Sequence, residues 1–344
     1  MTELHDMLED SVNRVLQAEL SWDVLRQTEE TCWSQNLWDE LKDLGLPYLF
    51  LTEDNGGLDA SWRDAYVALK ACGRYAVPIP ITEAIIANWY ARQANIVLPE
   101  NTWSIVREDL TTNNGTTVTF KELSVPWGRH AEHFLLVSKD NLKVVRLDPN
   151  NISKQENIGR DPRDLLSGAG EIINQGELNL TGDSVLYVGA LQRSSQISGA
   201  ASMALDLAVN YSADREQFGR PLSKFQTIQH YLSDLTGLVA SVEAITLAAC
   251  VALDEYGLEE NSTNTFRAIA AAKCRASDSV EKISRLSHQV HGAIGFTYEY
   301  GLHYVTRRLW AWRTEFGSSN YWGSYLGDLA INAGDTGIWP LVTK

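Results

Sequence analysis

The chain is poor in cysteine and short of positive charge. Its 344 residues include only 4 cysteines. Cys32, Cys72, Cys250 and Cys274 are widely spaced and form no C-x-x-C pair, which argues against a zinc site or a thioredoxin-like motif and for buried, reduced thiols. The 29 basic side chains are outnumbered by 44 acidic ones, a formal charge of -15. That balance repels phosphate backbones and anionic membrane surfaces, so the expectation is no nucleic acid and no membrane as partner. An anionic ligand would have to be held by individual arginines. No apolar run is seen that approaches the roughly 18 residues needed to cross a bilayer. The amino terminus, MTELHDMLEDSVNRVL, is acidic and amphipathic, without the basic flank of a secretory signal. The compartment expected on these grounds is the cytoplasm. What the chain does have is 44% hydrophobic residues, enough for a substantial core and two or three structural units.

Three regions follow from periodicity. Residues 1–100 read as helical, with apolar positions at three- and four-residue spacing in LHDMLEDSVNRVLQ and LWDELKDLGL. Gly45 ends one helix, Asn55-Gly56-Gly57 marks a turn, and Ser61 caps a helix running to about Gly73. Residues 101–190 change to short alternating runs, TTVTF, HFLLVS, NLKVVRL and SVLYVG, which predict a small β domain. Val125-Pro126-Trp127-Gly128 reads as a turn. From 191 to 344 the helical period returns. Ile197, Ala200, Ala201, Ala204, Leu205, Ala208 and Val209 predict one buried face, and helices over 223–256 and 264–290 complete a four-helix bundle.

Within that bundle, Tyr211 to Tyr231 (YSADREQFGRPLSKFQTIQHY) joins two helices through an arginine, a Phe-Gly break and a glutamine. Arg215 lies near a loop, where its guanidinium can make two parallel bonds to a diphosphate; the competing reading is a surface ion pair with Asp214 or Glu216. Ser223-x-x-Gln226 is a capping box that needs no ligand. Further on, Gln289 to Tyr300 reads QVHGAIGFTYEY. His288 and His291 are three apart, yet no further metal ligands are suggested, so metal: none is the expectation. Trp310, Trp312, Phe316, Tyr321, Trp322 and Tyr325 read as core or interface.

These two segments resemble acyl-CoA dehydrogenases. The first resembles the family's flavin-contacting signature. The second resembles Q-x-x-G-G-x-G-[FY]-x-x-E-Y, with Ala293 in place of the second glycine. The span before Gly57 loosely follows the family's L-G-x-x-G-L-x-x-P-E-x-x-G-G-L pattern. The resemblance implies an α+β fold with an N-terminal helical domain, a middle β domain and a C-terminal four-helix bundle. It implies FAD as cofactor, with Arg215 and Gln217 at the diphosphate and Phe218 at the adenosine end. Phe225 and Gln226 would lie by the adenine, and Gln289, Gly292 and Ala293 would reach the adenosine diphosphate from the neighbouring subunit.

Other family features are missing. The T-E-x-x-x-G-S-D loop and the W-[IV]-[ST]-N segment do not occur. The Y-E-G-T-S motif that carries the catalytic glutamate falls on Glu315-Phe316-Gly317-Ser318-Ser319, so phenylalanine stands at the base position. A second base position used by some members falls on Gln192, before Arg193. Glu315 is one residue early, and on a helix end that shift turns a side chain by about a hundred degrees. The resemblance therefore implies the shortened subunit of a bacterial heteromeric acyl-CoA dehydrogenase of the steroid side-chain degradation type. Such a subunit shares FAD with a full-length partner that binds most of the acyl-CoA, with electron-transfer flavoprotein as acceptor. The alternatives are a self-sufficient homo-oligomer using Glu315, a non-flavin scaffold, and a flavin monooxygenase variant of the fold.

Overall fold

The structure is a computed structural model and describes residues 3 to 343. Five helices come first: α1 (Glu3–Glu19), α2 (Trp22–Thr31), α3 (Gln35–Asp43), α4 (Trp62–Arg74) and α5 (Ile81–Gln93). Local chemistry sets their ends. Ser21, Ser34 and Ser61 each accept a backbone N–H in the first turn that follows, and Ser61 forms a reciprocal capping box with Asp64. Gly45, with φ 75°, turns the chain just past α3. Helix α5 is buried almost throughout, as expected of a helix apolar on all sides.

The sheet that follows contains β1 (Thr102–Arg107), β2 (Thr112–Asn114), β3 (Thr117–Pro126), β4 (His133–Val137), β5 (Asn141–Leu147), β6 (Ile152–Ser153) and β7 (Arg163–Glu177). Its order is β1-β4-β5-β7-β3-β2, with β6 also paired to β7; β1 and β4 run parallel and the other pairs antiparallel. Strand alternation splits the apolar residues between two cores. Leu135, Val137, Leu142 and Val144 pack with the amino-terminal helices, whereas Phe134, Leu136, Val145 and Leu147 pack with Trp103, Phe120 and Trp127. SVLYVG, read from sequence as a strand, is instead the start of α6. Its burial on every side erases the polar face that distinguishes the two periods.

The carboxyl region comprises α6 (Ser184–Asp214), a short hairpin β8 (Glu216–Gln217) and β9 (Arg220–Pro221), α7 (Gln226–Tyr256), α8 (Thr263–His291), α9 (Leu302–Trp312) and α10 (Ser319–Thr343), the last broken at Gly334. Helix α8 packs on α6, α7 and α10, and α9 closes against α6. Ile197, Ala200, Ala201, Ala204 and Ala208 are buried as predicted, but Leu205 is only partly buried and Val209 is 42% exposed, because these two turn away from the face that carries Ala204, Ala208 and Ser212 into the bundle. Of the aromatic cluster, Trp312 and Trp322 are core, whereas Trp310 and Tyr321 lie on the surface. One expectation needs correction: α7 is long and apolar enough to cross a membrane by length and composition, although it packs here along α6 and α8.

Two glycines bring α4 and α6 together. A methyl group at Gly73 would stand 2.0 Å from the Gln196 carbonyl, and one at Gly199 would stand 1.8 Å from the Lys70 carbonyl. Neither backbone can yield without parting the helices. Gly199→Ala is therefore expected to destabilise the chain by about 1–3 kcal/mol, read as a lower denaturant midpoint at unchanged slope.

Candidate functional site

Three helix termini meet at one end of the bundle, and most of the sequence-predicted residues lie there. Helix α6 ends at Arg215, whose N–H bonds the Tyr211 carbonyl and whose carbonyl accepts from Leu222. The β8–β9 hairpin carries Gln217 and turns at Phe218-Gly219, both in the left-handed region (φ 52° and 79°). Phe218 is 93% exposed. It meets the Phe225 ring edge-on at 6.2 Å, and the Arg220 guanidinium lies 4.2 Å over that same ring. Helix α7 begins at Gln226.

The capping box expected from Ser223 is absent. Ser223 lies in a 3-10 turn, and the cap position belongs to Phe225, which offers no side-chain oxygen. The first N–H groups of α7 are left without a side-chain cap, which suits an anion. Among the described residues, Arg215 has no side-chain hydrogen bond or ion pair, so neither Asp214 nor Glu216 engages it.

Gln289 and the Gly292-Ala293 pair lie exposed at the end of α8. Aromatic packing ties this end to that of α6: Tyr211 stacks on His291 at 4.7 Å, and Tyr300 meets both. Gly292 has φ 64°, and a methyl group added there would meet nothing within 4 Å. A cleft of about 840 Å³ opens beside Gln289 and Gly292, walled by Phe296, Tyr298 and Trp310. His288 is partly buried and, pulled down by that burial to about 4, is neutral at ordinary pH. No metal-binding cluster occurs among the described residues.

The two base positions converge elsewhere, between α6 and the turn after α9, and both are closed. Gln192 donates to Thr82 Oγ1 at 3.1 Å. Phe316 packs its ring on Gly189, where a Cβ would come within 2.3 Å of it. Glu315 is clamped by Arg163 (2.9 and 2.8 Å), Arg193 Nε (2.7 Å) and Asn157 (3.1 Å). Arg193 reaches on to Glu83 at 2.9 Å and to Gln196. Burial works against the Glu315 charge, but Arg163 and Arg193 outweigh it and hold the carboxyl at about 2. A carboxylate so acidic and so fully engaged is a poor proton acceptor. The space left among Thr82, Glu83, Trp127, Arg163, Arg193 and Trp312 is about 10 Å³, marginal even for one water.

Comparison with known proteins matches residues 2–93 to the acyl-CoA dehydrogenase N-terminal domain and residues 182–325 to the acyl-CoA dehydrogenase C-terminal domain. The chain belongs to the acyl-CoA dehydrogenase family. It is 26% identical to acyl-CoA dehydrogenase IpdE2 of Mycolicibacterium smegmatis over 90% of this chain and 93% of that protein. Its fold is that of solved family structures. The ChsE4-ChsE5 complex from Mycobacterium tuberculosis superposes with a TM-score of 0.81 at 18% identity, covering 96% of this chain and 98% of that one. The Tcur3481-Tcur3483 steroid ACAD superposes with a TM-score of 0.78 at 22% identity, covering 95% and 98%.

The family uses FAD, and the two halves of the site fit it unequally. The bundle end offers a free guanidinium, uncapped N–H groups and an open glycine, which suit a diphosphate. At the base positions the Phe316 ring lies against Gly189, Gln192 is bonded to Thr82 and the Glu315 carboxylate is engaged by Arg163 and Arg193, so neither position offers a free acid. Sequence reading overlooked the ion pairs that Glu83 and Arg193 make there. Their signal was present as single charges inside apolar helical runs: Glu83 in ITEAIIANWYA and Arg193 in GALQRSSQISGAA.

Proposed function

We propose that this chain is the short, non-catalytic subunit of a heteromeric FAD-dependent acyl-CoA dehydrogenase, supplying the adenosine diphosphate side of a FAD site shared with a full-length partner. One contrast carries the reading: at the bundle end Arg215 and the first N–H groups of α7 are unencumbered, while Phe316, Gln192 and the clamped Glu315 offer no free base. Arg215 and Gln217 would bind the diphosphate, Phe218, Phe225 and Gln226 the adenosine, and Gln289, Gly292 and Ala293 would close over it. When bound, FAD accepts the β-hydride of an acyl thioester. The partner would supply the base and most of the acyl-CoA pocket, and an electron-transfer flavoprotein would take the electrons. The domain division read from sequence, 1–100, 101–190 and 191–344, would keep its first boundary and have its second just before Ser184, where α6 begins, and the compartment would be the cytoplasm. Similarity to IpdE2, to the Tcur3481-Tcur3483 steroid ACAD and to the ChsE4-ChsE5 complex supports a bulky, steroid side-chain acyl-CoA as substrate.

Co-expression with a full-length dehydrogenase subunit tests this. The expected product is a stable complex with about one FAD per pair of unlike chains, oxidising acyl-CoA, while the chain purified alone gives no turnover. Flavin and activity from this chain by itself would establish the self-sufficient alternative instead.

A further inference from the structure

Lys273 lies in the middle of α8 with no exposed surface, and nothing in the proposed function uses it. Its ammonium donates to Ser277 Oγ at 2.8 Å and to the backbone carbonyls of Trp312 (3.1 Å), Arg313 (3.0 Å) and Gly317 (3.0 Å). Four acceptors thus compete for three N–H donors, and a neutral amine would bring only two. The carbonyls of Trp312 and Arg313 end α9, where unsatisfied carbonyls and the helix dipole both favour a cation. Gly317 lies across the turn. Phe316 and Gly317 both have positive φ, 55° and 93°, a conformation a phenylalanine adopts only under backbone strain. The turn is therefore held by its anchors. These are the ion pairs of Glu315, the Trp322 indole N–H on the Phe316 carbonyl at 3.0 Å, and Lys273.

Among these anchors only Lys273 can change charge near neutral pH. The guanidiniums stay protonated, and Glu315 stays ionised well below neutrality. Burial pulls the Lys273 ammonium down to about 7, helped by Arg193 on α6, while Glu315 on the turn and Cys274 on its own helix favour the charge. Helix α9 presents only backbone carbonyls to the ammonium.

We propose that Lys273 is a proton-operated latch on the turn at residues 313–317: protonated, it fastens the end of α9 to Gly317 and keeps Phe316 seated on Gly189; deprotonated, it lets the turn loosen. The inference is independent of the heteromeric reading, since it concerns only contacts within this chain.

Amide exchange of a peptide covering residues 313–319 tests the latch, compared between about pH 6 and about pH 8.5 after correction for intrinsic rates. A hydrogen bond to a charged group contributes about 1.5–3 kcal/mol, so protection in the wild type is expected to fall roughly tenfold or more across that interval. Lys273→Met should be weakly protected at both pH values and show no step. Equal protection of the wild type at both pH values would overturn the proposal. So would a step of the same size in the variant, because another group would then be titrating. If the variant does not fold, 15N titration of Nζ in the wild-type chain decides: a midpoint near 7 coincident with the exchange step supports the latch, and a midpoint above 10 excludes it.

Discussion

Replacing Arg193 with methionine is expected to cost about 3–5 kcal/mol, a large share of the stability of a whole domain. The guanidinium is 1% exposed and lies between Glu83 and Glu315. Removing it keeps the packing volume but strands one buried carboxylate without a cation and leaves the other to Arg163 alone. The penalty arises from the uncompensated charge, so the double variant R193M/E83Q, which leaves Arg163 paired with Glu315, should recover most of it. Denaturant unfolding of the three proteins measures this. A loss below about 1 kcal/mol for R193M would mean that water reaches the cluster. The same cluster gives the chain an acid limb. Because the Glu315 carboxyl is depressed from 4.5 to about 2, its contribution is fully present above 4.5 and is lost as pH falls towards 2.

Arg215→Ala is expected to weaken FAD retention by the assembled complex about 10- to 100-fold, equivalent to roughly 1.5–3 kcal/mol for a charge-assisted contact. Stability of the chain itself should change little, because the side chain is exposed and makes no bond within it. Arg215→Lys should fall between, since an ammonium keeps the charge but loses the two-pronged geometry. The readout is flavin absorbance after dialysis, together with FAD titration of the stripped complex. Unchanged flavin content in the alanine variant would favour the scaffold reading.

Much of this was legible in the sequence, for identifiable reasons. Ser61 and Gly45 act through bonds to their near neighbours, so a local pattern suffices to place them. Period-two and period-3.6 spacing revealed the sheet and the bundle wherever one face met water. SVLYVG was misread because the start of α6 is enclosed on all sides. The Ser223 capping box failed because the chain enters α7 through a 3-10 turn that moves the cap position to Phe225. At the base positions the sequence showed that Phe316 and Gln192 stand in place of an acid but not which ion pairs surround them. Arg163 comes from the sheet, Glu83 from α5 and Arg193 from α6, and only the folded chain brings them to Glu315.

The way the base positions are filled also bears on what a carboxylate placed there would meet. Phe316→Glu would put a carboxylate there in name, yet it would place a second acid beside Glu315 in the packed space against Gly189, where a Cβ would already come within 2.3 Å of the Phe316 ring. Reopening that space means removing charges that support one another, and each single step passes through a less stable protein. A carboxylate at position 316 is thus opposed by folding before chemistry is reached: whatever opens this region must first give up contacts that hold the chain together.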